Sequence, residues 1–318
     1  MKIDARLFAA GLIVLGVNAA DAQNYPNKPI RMITTGVGSV ADTAARLIGN
    51  ELAGSLGQQI IVDNRAAGVT PGTIAAKAAP DGYTLLLYGN PLWLAPFLQD
   101  KVPYDPVRDF APVTMAIRTP TVLVVNPALP VRSVRELTAL AKAQPGMLNY
   151  GSAATGSTSQ LAAVLFKSMA HVDVVFVPYK AAAAVLNDLM SGQIQFIFGT
   201  GGSVMPHVKS GRLRALAVTS AKPTALVPGV PTVAESGLAG YEMTSSQAVF
   251  APTGTPAHIV NRLNAEIVKV LDKPGLKEKF FNLGVETVGD TPAECAAAIK
   301  HEMSRLGKVI ADAGIRSN

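Results

Sequence analysis

The chain has 318 residues, 49% hydrophobic and 16% charged, with a formal net charge of +6 and a single cysteine. That length holds one large domain or two of medium size, and the lone Cys295 excludes an internal disulfide. The basic residues are scattered, with no Lys/Arg stripe interleaved with aromatics, so nucleic acid is not an expected partner.

The N-terminus reads as an export signal. Lys2 and Arg6 precede the apolar run LFAAGLIVLGV, which is too short to span a bilayer. Ala20-Asp21-Ala22 then offers an A-x-A cleavage site. This assigns residues 1–22 to a signal peptide and starts the mature chain near Gln23; the alternative is a buried N-terminal helix. No cysteine follows to carry a lipid, and no later segment is apolar enough for a membrane helix. A soluble periplasmic protein is expected, in a compartment where ATP and NAD are scarce.

After Tyr25-Pro26, KPIRMITT reads as a strand and GVGSVAD as a turn. Ala41, Ala45, Ile48, Leu52 and Leu56 then recur at helical spacing. GQQIIVDN is a second strand, GTIAAKAA a short helix, and YTLLLYG a third strand apolar enough to be buried on both faces. This alternation implies a parallel sheet with right-handed crossovers. TVLVVNP, Thr121 to Pro127, is another buried strand, after which the alternation begins again. SVRELTALAKAQPG opens on a capping box, Ser133 with Glu136 three residues on. LNYGS, VDVVFVPY, IQFIFGT and LRALAVTS read as strands, with helices over Ser157 to Met169 and AAAAVLNDLMSG. SQAVFAPTGTP leads back out, and two amphipathic helices follow, one lined by Ile259, Leu263, Ile267 and Leu271, the other by Ile299, Met303, Leu306 and Ile310; the latter includes Cys295 as a small core residue.

The expected fold is therefore α/β, two units of similar plan joined by two crossings near 121–127 and 246–253. Domain 1 takes residues 23–122 plus 248–318, and domain 2 takes 123–247. Such a cleft, where strand C-termini face each other, is where a ligand sits.

Two loops share one plan of strand, small residues and helix. The first carries Thr35, Gly36, Gly38, Ser39 and Asp42; the second carries Ser152, Ala153, Thr155, Gly156, Ser157 and Thr158. Glycine permits positive φ and close backbone approach, and the first N–H groups of each helix would point into the cleft and favour an anion. Two readings stand at this point: ordinary capped connections, or the two jaws of a carboxylate pincer. A Walker loop is excluded because no lysine follows the second glycine, and the third glycine of a dinucleotide fingerprint is missing. Ser152 and Ser157 could serve a secreted hydrolase, but YGSAATG is not a G-x-S-x-G elbow and no histidine-acid pair is evident. His171, His207, His258 and His301 lack metal-ligand spacing, so no metal or cofactor is expected.

Tyr88, Asn90 and Trp93 follow a buried strand, either as packing under the rim or as a selectivity wall for an apolar or aromatic ligand body. Thr200 and Ser203 are candidate donors at another strand end, Tyr179 lies at a strand–helix junction, and Lys180 reads as solvated.

The words YPNKPIRMIT, AAPDGYTLLL, VPYDPVRDFAPVT, LVVNPALPVRSVRELTALAKAQPGMLNYGS, SGRLRALAVTSA, VPTVAESGLAGYE and FAPTGTP occur in this order over nearly the whole mature length. In this the chain resembles the Bug-type periplasmic solute-binding receptors of the tripartite tricarboxylate transporter family. The resemblance implies a two-domain clamshell that binds a small organic anion and delivers it to the membrane subunits of a secondary transporter, acting as a monomer and not as an enzyme. It also implies that backbone amides of Thr34 to Asp42 and Ser152 to Thr158 hold a ligand carboxylate. Many members carry an acid where this chain has Gly199, so a ligand without an amine is expected, either a di- or tricarboxylate or an aromatic acid. A ligand sensor without a transport role is a further alternative.

Overall fold

The computed structural model describes residues 25–153 and 156–316. The expected signal peptide and Thr155 lie outside the described residues. The elements run β1 (Ile30–Thr34), α1 (Val40–Leu56), β2 (Ile60–Asn64), α2 (Thr70–Ala76), β3 (Thr84–Gly89), α3 (Asn90–Leu98) and β4 (Phe110–Val125). They continue as α4 (Val134–Ala143), β5 (Asn149–Ser152), α5 (Thr158–Ala170), β6 (Val175–Pro178), α6 (Ala182–Ser191), β7 (Phe196–Thr200), α7 (Gly201–Lys209) and β8 (Arg214–Val218). The chain closes with β9 (Thr244–Pro252), α8 (Ala257–Leu271), α9 (Pro274–Asn282), β10 (Glu286–Thr287) and α10 (Pro292–Asp312). Among the described residues no helix is long and apolar enough to cross a membrane.

The strands form one mixed sheet in the order β2-β1-β3-β9-β4-β7-β5-β6, with β8 and β10 also on β4. The expected parallel pairs are present at both ends, β1 with β2 and β3, and β5 with β6 and β7. Between them β9 and β4 run antiparallel to their neighbours, so the sheet is not purely parallel. Alternation of side chains across a strand explains why β3 is apolar throughout. Leu85 and Leu87 enter a core with Ile48, Leu52 and Leu263, whereas Leu86 and Tyr88 enter the opposite core with Leu92 and Trp93. The same holds for β7, where Phe196 and Phe198 face one core and Ile197 the other. Each fully buried side chain of this size contributes about 1.5–3 kcal/mol.

β4 is the strand shared by the two halves. Its residues Phe110 to Pro120 pair with β9, and Thr121 to Val125 pair with β7. The sequence reading found only the second part, because Pro112 and Pro120 break the strand pattern of the first. Three helices were also unforeseen. α3 begins at the last residue of the YGN turn, α7 begins at Gly201-Gly202, and α9 lies between the two expected C-terminal helices.

The place where β4 changes partners is pinned by Thr219, which is fully buried. Its Oγ1 accepts from the Thr121 N–H at 2.8 Å and donates to the Thr121 carbonyl at 3.0 Å. Its own carbonyl accepts from Met243 N–H at 2.9 Å, just before β9. One threonine thus ties both crossing segments together. Thr219→Val keeps the shape and leaves the Thr121 N–H buried without a partner, so stability should fall by about 1–3 kcal/mol in urea unfolding. A midpoint equal to that of the wild type would show that the hydroxyl pins nothing.

Candidate functional site

The two loops singled out in the sequence are built alike. Ser39 caps α1 by accepting from Asp42 N–H at 3.1 Å, and Ser157 caps α5 by accepting from Gln160 N–H at 3.3 Å. The preceding glycines, Gly38 at φ 81° and Gly156 at φ 73°, adopt the left-handed backbone that glycine tolerates. Each glycine N–H is taken by the side chain four residues on, Gly38 by Asp42 at 2.8 Å and Gly156 by Gln160 at 2.7 Å. A second hydroxyl braces each cap: Thr35 bonds Ser39 at 2.8 Å, and Ser152 bonds Ser157 at 2.8 Å.

The N–H groups of Gly38 and Gly156 are engaged inside their own loops, which the pincer reading did not anticipate. Asp42 is a buried structural carboxylate; its oxygens receive Gly38 N–H, Asn64 Nδ2 at 2.8 Å and Arg46 Nε at 2.9 Å. What remains outward is the first helical turn. Among the described residues, no backbone acceptor outside their own helices is paired with the N–H groups of Val40 and Ala41 in α1, or of Thr158 and Ser159 in α5. Helix geometry gives these N–H groups no internal partner.

A cavity of about 200 Å³ opens beside the second loop. Ser152 and Ala153 line it from the end of β5, Ser157 and Ser159 from the start of α5, and Ala182 from the first residue of α6. Phe198, Gly199 and Thr200 close it from the end of β7, and Ser203 from the first turn of α7. Three helix N-termini therefore converge on one space. Its remaining walls are Gly151, Val185, Leu186 and Ile197, and among the described residues no charged side chain lines it. Gly199 leaves no room for a side chain, since a Cβ there would sit 2.4 Å from Val204 Cγ1. Thr200 and Ser203 hydroxyls bond each other at 3.0 Å in the mouth of α7.

The other candidates lie elsewhere. Tyr179 donates to Asp188 at 2.7 Å, and burial together with that carboxylate pushes its phenol up to about 12. Tyr88 is buried, with its hydroxyl on the backbone of Gly68. Trp93 is fully buried, with its ring 6.2 Å from that of Phe250. Of the two readings of these residues, packing under the rim matches their burial, because α3 starts directly after the strand end and turns these side chains inward. Asn90 is also buried, and its Oδ1 accepts from Ser246 N–H at 2.8 Å in β9. Gly36 remains exposed on the first loop. Among the described residues no cluster of His, Cys, Asp or Glu could hold a metal ion. Sequence reasoning missed the α6 terminus and the apolar walls, which carry no motif. It also missed Asn64 and Gln160, whose side chains hold the two loops in shape.

The model of the tripartite tricarboxylate transporter family receptor matches residues 44–315. The chain belongs to this family. Protein BugT of Bordetella pertussis is 36% identical over 324 residues, covering 99% of each chain. Among solved structures, the R. palustris protein Rpa4515 with adipate is 35% identical with a TM-score of 0.73, over 92% of this chain and 99% of that one. MatC from Rhodopseudomonas palustris with bound malate is 29% identical with a TM-score of 0.69, over 90% of this chain and 100% of that one. The α/β fold, with its halves joined through β4 and β9, is that of these receptors.

In this receptor the first loop depends on an ionised Asp42. Burial opposes its charge, but the hydrogen bonds from Asn64 and Gly38 and the Arg46 guanidinium outweigh burial and hold the carboxyl below the usual carboxylate range. A lowered value means that its stabilisation is complete above the unfolded value of about 3.9 and is lost as pH falls through the folded value. The difference in unfolding free energy between wild type and Asp42→Asn should be full near neutrality and shrink below about pH 4. A difference that stays constant on acidification would mean that the charge of Asp42 is not what holds the loop.

Proposed function

We propose that this receptor captures a small organic anion in the periplasm and delivers it to the membrane subunits of a tripartite tricarboxylate-type transporter. The ligand is a di- or tricarboxylate or an aromatic carboxylate, held between residues 23–122 plus 248–318 on one side and 123–247 on the other. The observation that carries this reading is the convergence of the α5, α6 and α7 N-termini on one cavity without a charged side chain. Helix N-termini supply oriented N–H donors and a positive end, so a carboxylate can be held there without lysine or arginine. The absence of an acid in the lining leaves nothing to pair with a ligand amine, and Gly199 has no space to gain one. Adipate in one relative and malate in another are ligands of this kind. The hydrolase reading gains no support, because Ser152 and Ser157 hydroxyls bond each other and the cap of α5.

A thermal-shift screen of organic acids tests the class, since a ligand of the folded state raises the melting temperature. Adipate, malate and an aromatic acid should include at least one that does so, and amino acids should not. If no carboxylate shifts the transition, the reading fails. Thr158→Pro tests the seat. Proline is tolerated at the first helical position, and Ser157 already has the extended backbone that precedes proline, φ −65° and ψ 154°. The variant deletes one outward N–H and should weaken carboxylate binding by about 1.5–3 kcal/mol in calorimetry, with little change in stability. Unchanged affinity would remove α5 from the site.

A further inference from the structure

A second cavity, about 70 Å³, lies against the crossing strands and differs in kind from the first. Arg118 of β4, Thr244 and Ser246 of β9, and Glu302 of α10 all line it. Arg118 and Ser246 are register partners two positions from Pro120 and Thr244, where β4 leaves β9 for the other half. Asn90 bridges the elements at this joint. Its Nδ2 donates to the Glu302 carboxylate and to the Thr244 carbonyl at 3.3 Å, while its Oδ1 accepts from Ser246 N–H at 2.8 Å. α10 packs on β4 and α3 and also on α5, so it touches elements from both sides of the joint.

We propose that Glu302, acting through Asn90, is a positioning residue for the joint between the two halves, and that their movement is linked to uptake or release of a proton at its carboxyl group. The inference rests on the proposed function to the extent that ligand binding moves the halves. The bridge ties α3 and α10, which belong to the same half, to Thr244 and Ser246 on the crossing strand β9, where a rotation of the halves would be felt. The charged and polar groups facing Glu302 come from all sides: Arg305 and His301 on its own helix, Arg118 on β4, Glu242 ahead of β9, and the Trp93 indole of α3. Among the described residues Arg305 Nη1 is buried without a hydrogen-bond partner, and the Trp93 indole N–H favours the Glu302 carboxylate, so the cluster holds one unsatisfied donor beside Glu302. Burial, eased by Asn90 and Arg305, pushes the Glu302 carboxyl up to about 7. Any change in its solvation or in its hydrogen bond from Asn90 then changes its proton affinity near neutrality, and by linkage the proton biases the joint in return. The ligand cavity itself has no titratable lining group, and a simple carboxylic acid stays ionised above about pH 6. A neutral-range pH dependence of affinity must therefore come from outside that cavity.

The test is calorimetry with adipate from about pH 6 to about pH 8, in buffers of differing ionisation heat. The wild type should show a binding heat that depends on the buffer and a Kd that changes by about three- to tenfold. Glu302→Gln retains an acceptor for Asn90 and should bind adipate with both dependences gone. A flat wild-type profile, or a slope that survives in Glu302→Gln, overturns the proposal while leaving the binding function intact. Failure of adipate to bind at any pH tells against the proposed function instead. In that case the radius of gyration of the ligand-free protein decides, by small-angle scattering at the same two pH limits. A shift in the wild type that is absent from Glu302→Gln supports the joint, and equal radii overturn it.

Discussion

The ladder between β4 and β9 is the constraint on which the rest of the molecule depends. β4 is sixteen residues long and joins two groups of strands within the one sheet, first beside β9, then beside β7 and β8. Its residues alternate between cores on either face; Leu123 and Val125 enter one, Val122 and Val124 the other. A register slip of one residue would exchange both sets at once. The strand ends that carry the two capped loops hang from opposite sides of this ladder. Their separation is therefore set by β4 and β9 and by the groups that pin them, Thr219 at one point and Asn90 at another.

Much of this was legible in the sequence because it rests on local chemistry. Apolar periodicity located α1, α5, α8 and α10, and uninterrupted apolar runs located β3 and β7. The two loops were legible because serine before a helix, with glycine before it, is a capping pattern. What escaped depends on partners distant in the chain or on backbone alone. The N–H groups of Gly38 and Gly156 looked available because the side chains of Asp42 and Gln160 that occupy them lie on the following helix turn. α3 escaped because a helix that starts directly after the last strand residue leaves no loop to mark it, and so both packing and a cleft wall stayed open as readings of Tyr88 and Trp93. The contact between Asn90 and Glu302 spans 212 positions, and no local pattern announces it. The starts of α6 and α7 have no side-chain cap, so the convergence of three termini becomes visible only in three dimensions.

The two capped loops look equivalent, yet they differ in electrostatics at one position. The third residue of α1 is Asp42, held in its ionised form, and the third residue of α5 is Gln160, which has no charge. An ionised carboxylate in the first turn already complements the positive end of a helix, and here Arg46 offsets part of that charge in turn. The first turns of α5, α6 and α7 contain no acidic residue, so their positive ends are uncompensated where they meet at the cavity. These uncompensated helix ends therefore favour an anion at the α5, α6 and α7 cavity more than at the α1 loop. The α1 loop carries a nearly balanced charge, Asp42 beside Arg46. Steric freedom points the same way, since Gly36 and Gly38 have nothing within 4 Å of an added Cβ, whereas Gly151 and Gly199 of the cavity are closely surrounded. The walls of the cavity are thus set by close packing, and the α1 loop has open space around its backbone.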